Sequence, residues 1–185
     1  MSDTILKWQI LRRLWPAMLA MAAVVVSSNW LVQFPINDWL TYGAFTYPLA
    51  FLVSELTNRR AGPQAARQVA WLGFALAICV SAQLAPVRIA AASGLAFLCA
   101  QLLDISVFHR LRRQSWWRAP LIASVLASIL DTAIFFSCAF AGTDMPWLTL
   151  AAGDLAFKLT MAIFLLMPFR LLLPMVLGTR TGASP

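Results

Sequence analysis

Six apolar stretches, each long enough to cross a lipid bilayer, constrain the fold of this sequence more than any other feature. A membrane-spanning helix needs roughly 20 residues, so six spans joined by short loops use nearly all of the 185 residues. Hydrophobic residues make up 61% of the chain, against roughly 45–50% in an average soluble domain. We therefore predict an all-α polytopic membrane protein, a bundle of six transmembrane helices. The predicted spans are 14–34, 40–58, 68–84, 87–109, 119–141 and 147–173.

The basic residues fall on alternate connections between these spans. They cluster in the N-terminal segment, in the loops after the second and fourth spans, and after the sixth span. The positive-inside rule then places both termini in the cytoplasm. We predict a cytoplasmic N-terminal segment (1–13), a six-helix transmembrane domain (14–173) and a cytoplasmic tail (174–185). This topology and a lipid partner account for the net charge of +7, so we do not expect nucleic acid as a partner.

Polar side chains inside the predicted spans carry the functional information. Ionisable groups at membrane depth are costly and usually face a cavity or an oppositely charged partner. At a rise of about 1.5 Å per residue, Asp131 and Lys158 lie near the midplane of a core about 30 Å thick. Glu55 and Asp104 form a second layer, nearer the inner face. The six ionisable residues are Glu55, Arg88, Asp104, Asp131, Asp154 and Lys158, and their uncharged companions include Asn29, Gln33 and Gln101.

Each of these residues also has a purely structural explanation. Asp154 and Lys158 are four residues apart and could form an ion pair that only fixes helix packing. Arg88 could extend to the outer headgroups, and Asn29 could hydrogen-bond a neighbouring helix. Six ionisable residues in six small helices nevertheless exceed what packing needs, so a polar cavity is the better single explanation.

Three classes of function are compatible with such a cavity to different degrees. A small-solute carrier needs converging polar groups near the midplane and kinked helices. The sequence supplies both, since Pro48 and Pro168 should kink or locally end their helices. A membrane-embedded hydrolase needs a metal site or an activated nucleophile, and the single histidine, His109, lies in no such motif. We therefore predict no enzyme, no metal and no cofactor. A membrane assembly protein without transport activity stays an alternative.

Several stretches of this sequence, in this order, resemble the queuosine-precursor transporter family, also called the VUT family. The resemblance covers residues from about 28 to 173. It rests on residues 28–35 (SNWLVQFP), 43–48 (GAFTYP), 55–57 (ELT), 88–90 (RIA), 101–104 (QLLD), 107–108 (VF) and 131–132 (DT), and on Asp154 with Lys158. Two departures are Glu55, where many members carry Asp, and the apolar residues 128–130 before Asp131.

The resemblance implies a bacterial inner-membrane importer of 7-deazaguanine bases, namely 7-cyano-7-deazaguanine and its aminomethyl analogue. The donor edge of such a base suits a carboxylate, for which Asp131 and Asp104 are the candidates. Gln101 and Asn29 suit the amide contacts, and Phe45 is a candidate for stacking on the ring. The expected site residues are Asn29, Gln33, Phe45, Glu55, Arg88, Gln101, Asp104, Asp131, Asp154 and Lys158.

Some alternatives stay open within transport. The nearest one is the substrate-binding subunit of an energy-coupling-factor vitamin transporter, but the helix-docking signature of small residues that such subunits share is not matched around Ala20 and Ala23. We therefore favour a stand-alone carrier. Proton coupling and facilitated diffusion fit equally well, and the pairing of two copies into a homodimer is also open.

Overall fold

The computed structural model describes residues 2–31, 34–37 and 40–177, and this part of the chain forms eight α-helices and one short β-hairpin. The elements are α1 (Ser2–Leu31), β1 (Pro35–Asn37), β2 (Leu40–Thr41), α2 (Gly43–Thr46), α3 (Leu49–Ala61), α4 (Pro63–Leu84), α5 (Val87–Leu111), α6 (Arg118–Phe140), α7 (Trp147–Phe164) and α8 (Leu166–Leu177).

The apolar stretches of the sequence become membrane-length helices. Within the described ranges, five helices are long and apolar enough to cross a membrane, namely α4, α5, α6, α7 and the part of α1 over Leu14–Leu31. The remaining predicted span is divided between α2 and α3. The prediction of an all-α polytopic membrane protein is therefore confirmed. The orientation of the termini stays a prediction, as do the domain boundaries, and residues 178–185 of the predicted tail lie outside the described residues.

Two prolines divide two of the predicted spans. Pro48 lies between α2 and α3, and Pro168 lies in the first turn of α8, just after the break at Leu165. A proline ring clashes with the carbonyl of the residue four positions earlier and removes one hydrogen bond from the helix ladder. The helices therefore end and restart around these two positions, as the sequence predicts. The second span begins as a helix at Gly43, because Leu40 and Thr41 pair with β1 instead.

The centre of the bundle is the packing of α5 against α4 and α6. Small residues allow these helices to approach closely. A Cβ atom added at Gly94 of α5 would lie 2.2 Å from Cδ1 of Ile78 on α4. Fully buried alanines, such as Ala100 on α5 and Ala123 and Ala127 on α6, line the same interfaces. Small side chains at helix contacts are typical of membrane bundles, where close van der Waals packing drives association.

Short connections give the bundle two distinct ends. The end that carries the β-hairpin also carries the α4–α5 turn and the α6–α7 loop, and we call it the hairpin end. The opposite end carries the turn at Gly62, which has a positive φ of 88°, and the α5–α6 connection, and we call it the basic end. At the basic end, the Nδ2 of Asn58 donates to the Ile105 carbonyl, at 2.8 Å. The described arginines at this end include Arg59, Arg60, Arg67, Arg110, Arg112, Arg113, Arg118 and Arg170.

Candidate functional site

A polar cavity of about 230 Å³ lies towards the hairpin end, between α1, α2, α4, α5, α6 and α7. Its walls combine alanines with polar side chains from five of these helices. The polar residues that line it are Ser28, Asn29, Tyr47, Ser81, Ser93, Asp131, Asp154 and Lys158. The cavity brings together four of the residues that the sequence predicts for a site: Asn29, Asp131, Asp154 and Lys158.

Lys158 is the centre of the charged part of this cavity. Its Nζ lies 2.7 Å from Oδ2 of Asp131 on α6 and 2.5 Å from Oδ2 of Asp154, one turn earlier on α7. Lys158 is 8% exposed and Asp131 is 3% exposed. The Thr132 hydroxyl donates to the same Asp154 oxygen, at 2.7 Å. This charged cluster (Asp131, Asp154 and Lys158) therefore joins α6 to α7 at membrane depth.

Tyr47 attaches the broken second span to the charged cluster. Its hydroxyl donates to Oδ1 of Asp131 at 2.8 Å, and its ring centroid lies 5.5 Å from the Lys158 Nζ. The break at Pro48 follows directly, so the residue that contacts the cluster is also the residue at the joint between α2 and α3. Both oxygens of Asp131 are thus held, one by a hydroxyl and one by an ammonium group.

The charge of the cluster does not balance. Two carboxylates face one ammonium group, which leaves one excess negative charge when all three groups are ionised. The Asp154 side chain is 28% exposed, and its Oδ1 accepts no hydrogen bond from the part of the chain that the structure describes. A carboxylate oxygen with free lone pairs can accept from N–H donors, so the cavity suits a ligand that presents such donors.

The uncharged side of the cavity is formed by Asn29 and its neighbours. The Nδ2 of Asn29 donates to the Val25 carbonyl at 2.9 Å, and the Ser81 hydroxyl donates to Asn29 Oδ1 at 2.7 Å. The Ser28 hydroxyl donates to Thr46 Oγ1 at 2.8 Å. These bonds tie α1 to α4 and to α2, and they orient the Asn29 amide beside the cavity.

A second polar cluster lies nearer the basic end and contains no cation. It consists of Ser54, Glu55, Gln101, Asp104 and Ser124, which we call the carboxyl cluster. All five residues are buried, and Asp104 is 0% exposed. The Ser124 hydroxyl donates to Glu55 Oε1 at 2.9 Å, and the Ser54 hydroxyl lies 2.8 Å from Gln101 Oε1. The Ser54 hydroxyl also lies 3.4 Å from Asp104 Oδ2, so the Glu55 and Asp104 side chains belong to the same buried cluster.

The structure therefore divides the predicted site residues between two places. Glu55, Gln101 and Asp104 do not line the polar cavity. Ser124 of the carboxyl cluster and Asp131 of the charged cluster are seven residues apart on α6, or about 10 Å along the helix axis. The sequence-based separation into two layers thus corresponds to two clusters that share α6 and the broken second span.

Three predicted site residues lie elsewhere. Phe45 is 42% exposed and packs edge-to-face on Phe157, with centroids 4.8 Å apart, and it does not line the cavity. Arg88 donates from Nε to the Cys138 carbonyl at 2.9 Å and from a terminal nitrogen to the Ala141 carbonyl at 2.6 Å. Arg88 therefore caps the C-terminus of α6. Gln33 lies outside the described residues.

Two residues at the clusters, Tyr47 and Ser54, are not among the site residues expected from the sequence. Tyr47 is absent from the expected site residues, although a phenol beside a mid-span proline is a signal for a polar contact at that depth. Ser54 has no signal of its own, because a serine inside a helix usually bonds a backbone carbonyl. Its hydroxyl does lie 3.1 Å from the Ala50 carbonyl, as well as near Gln101.

A larger groove, of about 620 Å³, lies between α1, α3, α4 and α8. Its walls are mostly apolar, with Arg60, Gln64 and Gln68 among the exceptions. It holds neither of the two clusters. The smaller cavity is the better candidate site, because its buried charges are expensive at membrane depth and are usually functional.

These features define a class: a multi-pass membrane protein with a charged cavity between its helices. Residues 82–173 match the family model described as "Putative vitamin uptake transporter". The chain is 34% identical to the queuosine precursor transporter of Escherichia coli strain K12, over 83% of each protein. It is 32% identical to the probable queuosine precursor transporter of Haemophilus influenzae, over 78% of this chain and 79% of that one. No solved structure matches the chain significantly.

The chain belongs to the queuosine precursor transporter family. The family resemblance seen in the sequence is thereby confirmed, and so is the assignment to the multi-pass membrane proteins.

Proposed function

We propose that this protein imports 7-deazaguanine bases, the precursors of queuosine, across the bacterial inner membrane, and that it is not an enzyme. It acts as a stand-alone carrier, with both termini in the cytoplasm and the base bound in the polar cavity. The names of its relatives support the substrate class. The observation that carries the site is the charged cluster, which places a partly exposed carboxylate on the wall of a cavity between helices.

The cavity matches the chemistry of a deazaguanine in size and in polarity. The base is flat and has two fused rings, and a cavity of about 230 Å³ is smaller than typical drug-sized pockets, which run from roughly 300 Å³ upwards. The ring N–H and the amino group of the base form a donor edge. The free Oδ1 of Asp154 accepts from this edge, since a carboxylate oxygen carries two lone pairs that can accept N–H donors.

The opposite polar groups of the base have partners on the same walls. Its carbonyl oxygen accepts a hydrogen bond from Lys158 or from the Asn29 amide, which are both donors. Its faces need flat apolar contacts, and the rings at the cavity are those of Tyr47 and Phe135. We therefore assign the stacking role to these two rings in place of Phe45.

The role of Asp131 in this proposal is to position two neighbouring groups of the cavity. It holds the Lys158 ammonium with one oxygen and the Tyr47 hydroxyl with the other. Asp131→Asn replaces a buried acceptor with an amide of the same shape and removes the charge that fixes Lys158. We expect this variant to lose uptake of labelled 7-cyano-7-deazaguanine by about tenfold or more, because a hydrogen bond to a charged group contributes about 1.5–3 kcal/mol.

The matched control is Asp144→Asn, the same change in the exposed loop between α6 and α7. This control should transport as the unaltered protein does, and both variants should reach the membrane in equal amounts. Persistence of uptake in Asp131→Asn would show that the substrate site is elsewhere.

A genetic experiment tests the substrate itself. A strain that cannot make the base should regain queuosine in its tRNA when this protein is produced and the base is supplied at low concentration. Absence of rescue, with the protein confirmed in the membrane, would overturn the substrate assignment. Binding of a vitamin by the same purified protein would then favour the vitamin-transport alternative.

A further inference from the structure

Glu55 and Asp104 are two acids in one buried cluster inside the bundle. Glu55 is 3% exposed and Asp104 is 0% exposed, and the hydroxyl of Ser54, the residue before Glu55, lies 3.4 Å from Asp104 Oδ2. No lysine, arginine or histidine nitrogen lies within 4.0 Å of either carboxyl group, as far as the structure describes the side chains. The polar cavity does not include this pair.

The charged groups on the neighbouring helices are engaged elsewhere or exposed. On α3, Arg59 donates to the Arg112 carbonyl, and Arg112 donates to the Asn58 carbonyl. On α5, His109 faces Asn58, at 3.4 Å. On α6 and α8, Arg118 and Arg170 stack on Trp117 and Trp116, while Asp131 binds the α7 residue Lys158. The other arginines on these elements and on α4 are exposed at the bundle surface: Arg60, Arg67, Arg88 and Arg110.

Two atoms of the carboxyl cluster have no hydrogen-bond partner among the described residues, namely Asp104 Oδ1 and Gln101 Nε2. The Ser54 hydroxyl does little for Asp104, since it has one hydrogen and several nearer acceptors. Gln101 Oε1 lies 2.8 Å from the Ser54 oxygen, and the Phe51 and Ala50 carbonyls lie at 3.0 and 3.1 Å, whereas Asp104 Oδ2 is 3.4 Å away. Asp104 is thus a buried carboxyl group with too few donors for a carboxylate.

Elementary electrostatics decides the protonation of such a pair. Two adjacent carboxylates in a buried site repel each other and lose hydration, so the pair retains at least one proton. The observed packing of α3 against α5 therefore corresponds to the protonated pair.

We propose that Glu55 and Asp104 form a proton-binding site that couples import of the base to inward proton movement. This inference rests on the proposed function and deepens it. One proton enters from the outer side and is shared between the two carboxyl groups. The same proton leaves to the cytoplasm in each cycle, so one base and one proton move inward together and no covalent bond changes except to this proton.

The fold provides a physical connection between the two sites. Tyr47 and Glu55 lie on either side of the break at Pro48, and they bond to Asp131 and Ser124 on the same helix, α6. Loss of the shared proton leaves two repelling carboxylates between α3 and α5. Because α3 is not continuous with α2, α3 can move away from α5. This movement displaces Tyr47, which contacts the charged cluster of the substrate site.

The first experiment requires no substrate. Infrared difference spectra of the purified full-length protein, recorded between acidic and alkaline pH, should contain a C=O stretching band from a protonated, buried carboxyl group. We expect Asp104→Asn to remove this band and Asp144→Asn, the exposed control, to keep it. A spectrum unchanged by Asp104→Asn would overturn the proton site.

The second experiment measures coupling in proteoliposomes with labelled 7-cyano-7-deazaguanine. An inward gradient of one pH unit is a tenfold difference in proton activity, so the unaltered protein should accumulate the base about tenfold. Asp104→Asn and Glu55→Gln should reach only the external concentration. Both variants should retain base-for-base exchange within about threefold of the unaltered protein, because exchange needs no net proton movement.

The outcomes separate the two proposals. Equal accumulation with and without the gradient in the unaltered protein, or accumulation by both variants, would overturn proton coupling while leaving the substrate assignment intact. Failure of the unaltered protein to bind or exchange the base would overturn the proposed function, and the infrared experiment would still decide the proton site. Two variants are used because either alone could disturb folding, which a melting curve detects.

Discussion

Two aspartates at membrane depth are neutralised in different ways in this molecule. Asp131 in the charged cluster binds the Lys158 ammonium at 2.7 Å and accepts from the Tyr47 hydroxyl. Asp104 lies in the buried carboxyl cluster with another acid, Glu55, and forms no ion pair with the described side chains. A cluster with a fixed counter-charge keeps its polarity and suits recognition of a ligand. A cluster without one depends on a mobile proton, and it suits a switch.

The comparison also shows how position within the bundle matters. The charged cluster borders a cavity, and Asp154 is 28% exposed on its side chain. The carboxyl cluster is closed on all sides by α3, α5 and α6, and its residues are at most 8% exposed. In our proposal the base therefore binds at the first cluster, whereas a proton needs no cavity.

Among the variants of the two clusters, Lys158→Met is expected to have the largest effect on base binding and on stability. The substitution leaves Asp131 and Asp154 buried without a counter-charge, and removing one partner of a buried pair costs roughly 3–5 kcal/mol. We expect loss of base binding and a clear fall in the melting temperature, measured on protein in detergent.

The triple variant Lys158→Met, Asp131→Asn, Asp154→Asn is the matched control. It has no unpaired charge, so its melting temperature should return towards that of the unaltered protein, whereas binding should remain absent. Recovery of binding together with stability would show that the charged cluster does not recognise the base.

A smaller effect is expected from Tyr47→Phe. The change removes one hydrogen bond to a charged acceptor and keeps the ring, and such bonds contribute about 1.5–3 kcal/mol. The Kd for the base should rise about tenfold, since about 1.4 kcal/mol corresponds to a factor of ten. Isothermal titration measures this effect, and an unchanged Kd would separate Tyr47 from the site.

The smallest effect is expected from Arg88→Ala, which lies outside both clusters. Its guanidinium binds the last carbonyls of α6, and a cation at a helix C-terminus stabilises by about 0.3–1 kcal/mol. The melting temperature should fall by about 1–4 °C with no change in the Kd. A large loss of binding would place Arg88 in the site after all.

The fold was largely predictable because the bilayer imposes simple rules. Length and apolarity predict the helices, and the prolines at positions 48 and 168 predict the two broken spans. The β-hairpin was not predictable, since Leu40 is as apolar as the helix that follows it. The start of the second span at Gly43 depends on pairing between Pro35 and Thr41, which no periodicity reveals.

The depth of the site residues in the membrane was predictable from the sequence, whereas their side-chain contacts were not. Helical rise alone separates Asp131 and Lys158 from Glu55 and Asp104. It does not determine which way a side chain points, so Arg88 was expected near the cavity although it caps α6. The role of Tyr47 depends on how the chain turns at Pro48, and that direction is a tertiary property.

The ion pairs between α6 and α7 have a consequence for how the chain enters the membrane during synthesis. A lysine or aspartate at the centre of a helix raises the cost of insertion by roughly 2.5–3.5 kcal/mol, and α7 carries one of each. Inserted alone, α7 would meet lipid with Lys158 unpaired from Asp131. Because only a short loop separates α6 from α7, the two helices are best released from the insertion machinery as one hairpin, with the charges already neutralised.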